Sequence, residues 1–354
     1  MIPVTILTGF LGSGKTTLLK RILNEQHGMK IAVIENEFGE ENIDNEILVQ
    51  ETNEQIIQIS NGCICCTIRG DLRALEYLAN RKKAGTLDFD RVVIETTGLA
   101  NPSPVAQTFF MDNTVADEFL LDAVITLVDA KHADSQLDQH EVVQRQVGFA
   151  DRLFITKSDL VDAAALDELK HRLLHMNPRA AMKVVNFGDA DIKEIFDLRG
   201  FNLNARLEID PEFLAEDEHD HDHAHDHNHD HSACGHDHSH DHEHGHHYHH
   251  AHHDDKIKSF VYRSDKPFDP NRLEDFLGGI LQIYGERLLR YKGRALHVKG
   301  VDRKVVFQGV HQMMGSDLAG KWMPIEKKNS KMVFIGIELP KDLITDGLDA
   351  CLVK

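Results

Sequence analysis

The segment Gly9-Phe-Leu-Gly-Ser-Gly-Lys15-Thr16 follows the apolar run Val4-Thr-Ile-Leu-Thr8 directly. A strand that ends in this pattern must open into a tight glycine-rich turn and then a helix. The glycines let backbone N–H groups turn inward around phosphate, and the helix N-terminus adds its dipole. Lys15 is expected to reach the β/γ-phosphates and the Thr16 hydroxyl to face Mg²⁺. The candidate phosphate-binding set is Gly9, Gly12, Ser13, Gly14, Lys15, Thr16 and Thr17.

The alternation downstream fits that opening. Short β-rich apolar runs at 4–8, 31–35, 56–60, 91–95, 122–128, 152–156 and 183–185 are separated by segments with three- and four-residue apolar spacing, such as Leu72, Leu75 and Leu78. This predicts an α/β fold, a mostly parallel P-loop sheet with helices on both faces, over 1–205. From 206 to 255 the chain reads as an acidic His-rich disordered linker, since it lacks the apolar residues to form a core. A smaller C-terminal α+β domain is expected over 256–354, in the order strand, helix, two strands, a later strand and a closing helix.

Charge and cysteine usage narrow the partners. The formal charge of −19 falls to −7 once the twelve Asp/Glu of residues 216–255 are set aside. Neither part carries the basic stripe that nucleic acid demands. No apolar run reaches the length of a membrane span, and the start lacks the features of a secretory signal. Of the five cysteines, three lie within four positions. That spacing suits metal or redox chemistry in a reducing compartment, so a cytoplasmic location is expected, with no nucleic acid and no membrane as partners.

Thr156-Lys157-Ser158-Asp159 follows a strand, where a guanine-selective P-loop protein places its base-recognition loop. The Asp159 carboxylate only accepts, so it can pair with the N1–H and amino donors of guanine but finds no such donors on adenine. The same residues also fit a helix N-cap. Thr156, Lys157 and Asp159 are the candidate base-binding residues. Glu95 ends the strand 91–95 and is placed to hold an Mg²⁺-bound water, while the Gly98 amide is placed to sense the γ-phosphate. Lys15 and Glu95 are thus the candidate catalytic pair, and Thr16 and Glu95 the candidate Mg²⁺ pair. The acidic loop Glu35-Asn-Glu37-Phe-Gly39-Glu40 would repel triphosphate unless a cation intervenes, so it is expected to serve Mg²⁺ or a second ion.

Asn61-Gly62-Cys63-Ile64-Cys65-Cys66 follows the third apolar run, on the edge where nucleotide loops gather. Thiolates suit Zn²⁺ or another borderline transition ion, although buried or redox-active cysteines fit the spacing too. Residues 219–253 hold eighteen histidines, many alternating with Asp. In an extended chain alternate residues share a face, so His219, His221, His223, His225, His227, His229, His231, His236, His238 and His240 form a candidate accessory metal tract. A solvated acidic spacer is the plainer reading of the same composition.

Taken together, GFLGSGKT, ENEFGE, NGCICC, IETTGLANP and TKSD resemble the CobW family of P-loop GTPases, relatives of the nickel chaperones HypB and UreG. Leu288-Leu-Arg-Tyr-Lys-Gly293, Phe307-Gln-Gly-Val310 and Met332-Val-Phe-Ile-Gly-Ile337 resemble the family's C-terminal domain, especially in its YjiA branch, which leaves the His tract without a counterpart. The resemblance implies GTP hydrolysis coupled to transition-metal handling. It assigns Cys63, Cys65 and Cys66 to a metal site in which Glu35 and Glu40 take part. The expectation is a GTP-hydrolysing metallochaperone that uses GTP, Mg²⁺ and Zn²⁺, with Co²⁺ or Ni²⁺ as alternatives. Its partners would be a metal-requiring client and a nucleotide- or metal-dependent second copy of the chain. The rival readings are a metal buffer or sensor with nucleotide-gated partner binding, and an ATP-dependent phosphotransferase.

Overall fold

Near-continuous apolar strands such as Arg91–Glu95 and Phe119–Asp129 can be satisfied only by burial on both faces of a sheet. The computed structural model, which describes residues 1–35, 48–51, 55–60, 68–201 and 255–354, provides that burial. Eight strands form the first sheet: β1 (Ile2–Gly9), β2 (Ile31–Glu35), β3 (Leu48–Glu51), β4 (Gln55–Ser60), β5 (Arg91–Glu95), β6 (Phe119–Asp129), β7 (Arg152–Thr156) and β8 (Ala181–Val184). Their order is β3-β4-β2-β5-β1-β6-β7-β8, parallel throughout except for the antiparallel edge pair β3–β4. The period of two divides each strand between two cores. Ile6, Ile34, Ile94 and Val124 enter one, while Leu7, Val33, Val93 and Ile125 enter the other with Leu18, Leu19 and Ile22 of the helix Lys15–Asn24.

The second sheet is antiparallel. Its strands β9 (Ile257–Ser264), β10 (Leu288–Leu296), β11 (Arg303–Val310), β12 (Met313–Lys321) and β13 (Ser330–Ile337) run in the order β12-β11-β10-β13-β9. One face packs Phe260, Tyr291, Phe307 and Phe334 against the helices Pro270–Tyr284 and Lys341–Ala350. The opposite face sends Val261, Leu289, Val333 and Ile335 into the same core as Val143, Val147, Phe149, Leu169 and Leu173, from the helices Glu141–Phe149 and Ala163–Met176. Gly148 permits this approach, since a Cβ there would lie 2.9 Å from both Ile257 and Leu289 side chains.

Three buried polar side chains at the junction have close partners. Arg290 donates to Asp151 at 2.8 Å, and Gln144 accepts from the backbone N–H of Lys256 at 3.0 Å. Arg172 pairs with Asp255 at 2.7 Å, Asp138 at 2.6 Å and Asp134 at 3.1 Å. Asp255, which composition assigns to the acidic linker, is therefore a buried member of this junction.

Several strand limits match the sequence pattern, including 31–35, 91–95 and 152–156. Others differ. β6 begins three residues before the expected Asp122 because Phe119 and Leu121 are buried on it. β8 covers Ala181–Val184 rather than 183–185, and β3 and β12 are additional.

Candidate nucleotide site

β1 delivers the glycine-rich turn at the centre of the sheet's carboxyl edge, between β5 and β6. Gly9, Gly12 and Gly14 all take positive φ, and Gly14 forms a left-handed cap with no side-chain hydrogen bond to the helix it starts. The first helical N–H groups thus keep their capacity for an anion. Lys15 lies back over the turn, its ammonium donating to the carbonyls of Gly9 at 2.9 Å and Phe10 at 3.1 Å. Burial pulls its pKa below the ordinary lysine value, partly offset by the Glu95 carboxylate. A cation whose hydrogen bonds go to neutral carbonyls, with Glu95 acting on it only through its charge, can turn to a phosphate without breaking a hydrogen-bonded ion pair.

The Thr16 hydroxyl donates to Glu95 Oε1 at 2.9 Å, so the strand-end acid and the first helical turn meet. Thr17 is exposed beside them. Ser13 Oγ is buried and lacks a hydrogen-bond partner. These features fit a Mg²⁺-nucleotide: a cradle of N–H groups, a movable ammonium, an orphaned hydroxyl, and a hydroxyl–carboxylate pair that hard cations favour. Gly98 packs against the turn so closely that a Cβ would lie 2.6 Å from the Leu11 nitrogen. Its carbonyl and that of Ala100 accept from Gln146 Nε2 at 3.1 and 3.0 Å.

At the other end, the Thr156 hydroxyl donates to the Ser13 carbonyl at 2.9 Å, tying the loop after β7 to the phosphate turn. Lys157 adopts φ 55° and donates to Asp129 at 2.7 Å. The Asp129 carboxyl sits below its usual range: burial opposes this, but hydrogen bonds from Lys157 and His132 outweigh it. Asn186 accepts from the Ser158 N–H at 3.0 Å and donates to the Ser158 hydroxyl at 2.9 Å. Asp159 projects from this braced turn and is exposed.

Asp129, Gln146 and Asn186 are absent from the sequence-derived set. Asp129 carries the same signal that marks Glu95, an acid closing a buried strand. Gln146 and Asn186 carry only weak signals, a polar residue within an apolar helix and an asparagine after a short strand.

Glu35 closes β2 in register with Glu95 of β5 on one side and Ser60 of β4 on the other. Two carboxylate-bearing residues therefore adjoin at the sheet's carboxyl edge, where the strand preceding the Cys-rich loop also ends. Glu40, Cys63, Cys65, Cys66 and the tract histidines 219, 221, 223, 225, 227, 229, 231, 236, 238 and 240 lie outside the described residues. Among the described residues, no group of three or more His, Cys, Asp or Glu is arranged to hold a metal, and no helix is long and apolar enough to cross a membrane.

A turn of this geometry on a parallel sheet defines a P-loop nucleotide-binding protein. The chain belongs to the CobW/HypB/UreG family: residues 3–184 match its nucleotide-binding domain, and residues 257–352 match the C-terminal domain of the cobalamin synthesis protein CobW. It is 40% identical to the zinc chaperone YjiA of Escherichia coli (strain K12) over 347 residues, 97% of this chain and 96% of the relative. It is 31% identical to the zinc chaperone CobW of Pseudomonas aeruginosa over 391 residues, 99% of this chain and 92% of that one. The crystal structure of the Zn(II)-bound YjiA GTPase from E. coli matches with a TM-score of 0.76 at 36% identity, covering 99% of each chain.

Proposed function

We propose that the protein hydrolyses GTP and uses the cycle to load and release zinc for a metal-requiring client in the cytoplasm. The observation that carries this reading is the meeting of the segments that close β1, β5 and β7 at one edge, with the end of β2 in register beside them. Thr156 ties the base loop to the phosphate turn, Thr16 ties the turn to Glu95, and Glu35 stands in register with Glu95 at the start of the acidic loop. The relatives named as zinc chaperones support zinc as the cargo.

Lys15 would exchange its carbonyl partners for the β/γ-phosphates. Thr16 and Glu95 would hold Mg²⁺, directly and through water, and the bound ion would neutralise charge developing on the phosphates. Gly98, pressed against the turn, supplies an N–H that moves with the γ-phosphate. Asp159 reads the guanine edge, with Lys157 positioned by Asp129. Zinc would be held by Cys63, Cys65 and Cys66 with Glu35 and Glu40. Its exchange would follow the order of loops that depend on γ-phosphate contacts.

Zinc affinity measured with a non-hydrolysable GTP analogue and with GDP tests the coupling, in protein lacking residues 219–253 to remove background sites. The analogue should tighten zinc by about 1 to 3 kcal/mol, and zinc should tighten the analogue by the same factor. Cys65→Ser should erase the difference. Equal affinities in the two states would leave a metal buffer as the better reading.

A further inference from the structure

The helix Ala163–Met176 carries a feature that the nucleotide cycle does not use. His171 and His175 stand one turn apart, and their Nε2 atoms approach to 3.3 Å with ring centroids 4.5 Å apart. Two imidazoles can face each other this way when one Nε2 donates a proton to the other. The same spacing is the chord that one tetrahedral ion spans. With Zn–N bonds of 2.0–2.1 Å and a tetrahedral angle, two ligand nitrogens lie about 3.3 Å apart. A right-angled pair in square-planar or octahedral coordination would lie only about 2.9 Å apart.

The helix beneath the pair is fixed. Leu169, Leu173 and Leu174 are buried, and Arg172 is held by Asp255, Asp138 and Asp134. The Ser259 hydroxyl of β9 donates to the His175 carbonyl at 2.8 Å. For both Nε2 lone pairs to face one ion, the donating imidazole moves its proton from Nε2 to Nδ1 by exchange with solvent, and both rings then coordinate as neutral ligands on an unmoved backbone.

We infer that His171 and His175 form a two-histidine surface site for a tetrahedral divalent transition ion, with zinc as the fitting cargo. Two imidazoles leave two positions to water or to an incoming donor, so the ion is exchangeable. The site faces solvent at the point where the described chain resumes, since Asp255 pairs with the residue next to His171. It is separate from the thiolate set assigned to Cys63, Cys65 and Cys66, so either site can fail alone.

The test is histidine carbethoxylation of the full-length protein, read peptide by peptide by mass spectrometry as Zn²⁺ is added. Peptide resolution keeps the histidines of 219–253 from obscuring the result. Zinc should slow modification of His171 and His175 together by about five-fold or more, because a coordinated nitrogen is no longer nucleophilic. In His171→Ala the protection of His175 should disappear, and His175→Ala should expose His171 in the same way. Both variants sit on the solvent side of the helix, and an unchanged thermal transition would show that they fold. Protection of His175 that survives His171→Ala, or absence of protection at both after the tract histidines are saturated, would overturn the site.

Discussion

The nucleotide edge and the domain junction each bury a cation, and they treat it in opposite ways. Lys15 is bonded to two backbone carbonyls, and burial lowers its pKa. Burial would also lower Arg172, yet hydrogen bonds and charge from Asp255, Asp138 and Asp134 hold it above the ordinary arginine value. A charge parked on neutral acceptors is available to a ligand, whereas a charge matched by carboxylates is committed to the fold. Polar density alone therefore does not mark the working site. The quality of each partner does.

Breaking each cation separately should give the largest and most dissimilar effects. Lys15→Ala should lower GTP turnover about 10³-fold or more, roughly 4 kcal/mol of transition-state stabilisation, while leaving the unfolding midpoint almost unchanged. Phosphate release and urea unfolding on the same preparation check both halves. Arg172→Met should do the reverse, costing about 3 kcal/mol of stability by leaving Asp255 buried without its partner. An exposed pair provides the contrast: Arg21→Met, which loses only Asp189 at the surface, should change stability by less than about 0.5 kcal/mol.

The base loop sharpens the comparison at smaller scale. Asp159→Asn should weaken GTP by about 10- to 100-fold and favour xanthosine triphosphate, because an amide can donate where a carboxylate only accepts. Competition binding decides it, and a wild-type preference for ATP would remove the base assignment.

A pH-dependent effect concerns His311, which faces Ser103 and whose Nδ1–H donates to the Gly285 carbonyl at 3.1 Å. Burial keeps this imidazole below its usual pKa, with hydrogen bonding to Gly285 pulling the other way. The unfolded chain thus takes up the proton first, and stability is lost as pH falls below about 6.5, by at most about 1.4 kcal/mol per pH unit. His311→Gln should flatten that part of the slope between pH 6.5 and 5.5, measured as the difference in unfolding free energy from wild type.

The legible parts of the chain were those in which one residue type has one physical use. β5 and β7 are short apolar runs stopped by Glu95 and Thr156, and they read directly as buried parallel strands. The phosphate turn was equally plain, since Gly14 in a left-handed cap followed by Lys15 and Thr16 admits few other structures. β12 was not legible because it is a mostly exposed edge strand whose Met-Met-Gly-Ser-Asp-Leu-Ala-Gly-Lys sequence has no apolar alternation. The role of Asp255 is invisible in composition, because a carboxylate ending an acidic tract gives no sign of Arg172, which folding places against it. Gln146 was hidden for a related reason: its partners, the carbonyls of Gly98 and Ala100, lie more than forty residues away.

The helix Glu141–Phe149 has a consequence for how the molecule can be rebuilt. Its leading His140 stacks on Phe10 of the phosphate turn with ring centroids 4.8 Å apart, Gln146 holds the segment after β5, and Gly148 and Phe149 seat the second sheet. Three neighbours thus rest on one wall less than three turns long. A recombination that joins this C-terminal sheet to another P-loop domain would leave both halves missing a surface unless the donor wall travelled with it. The boundary for modular engineering consequently runs around that helix, on either side of residues 140–149, and not through the chain that links the two sheets in sequence.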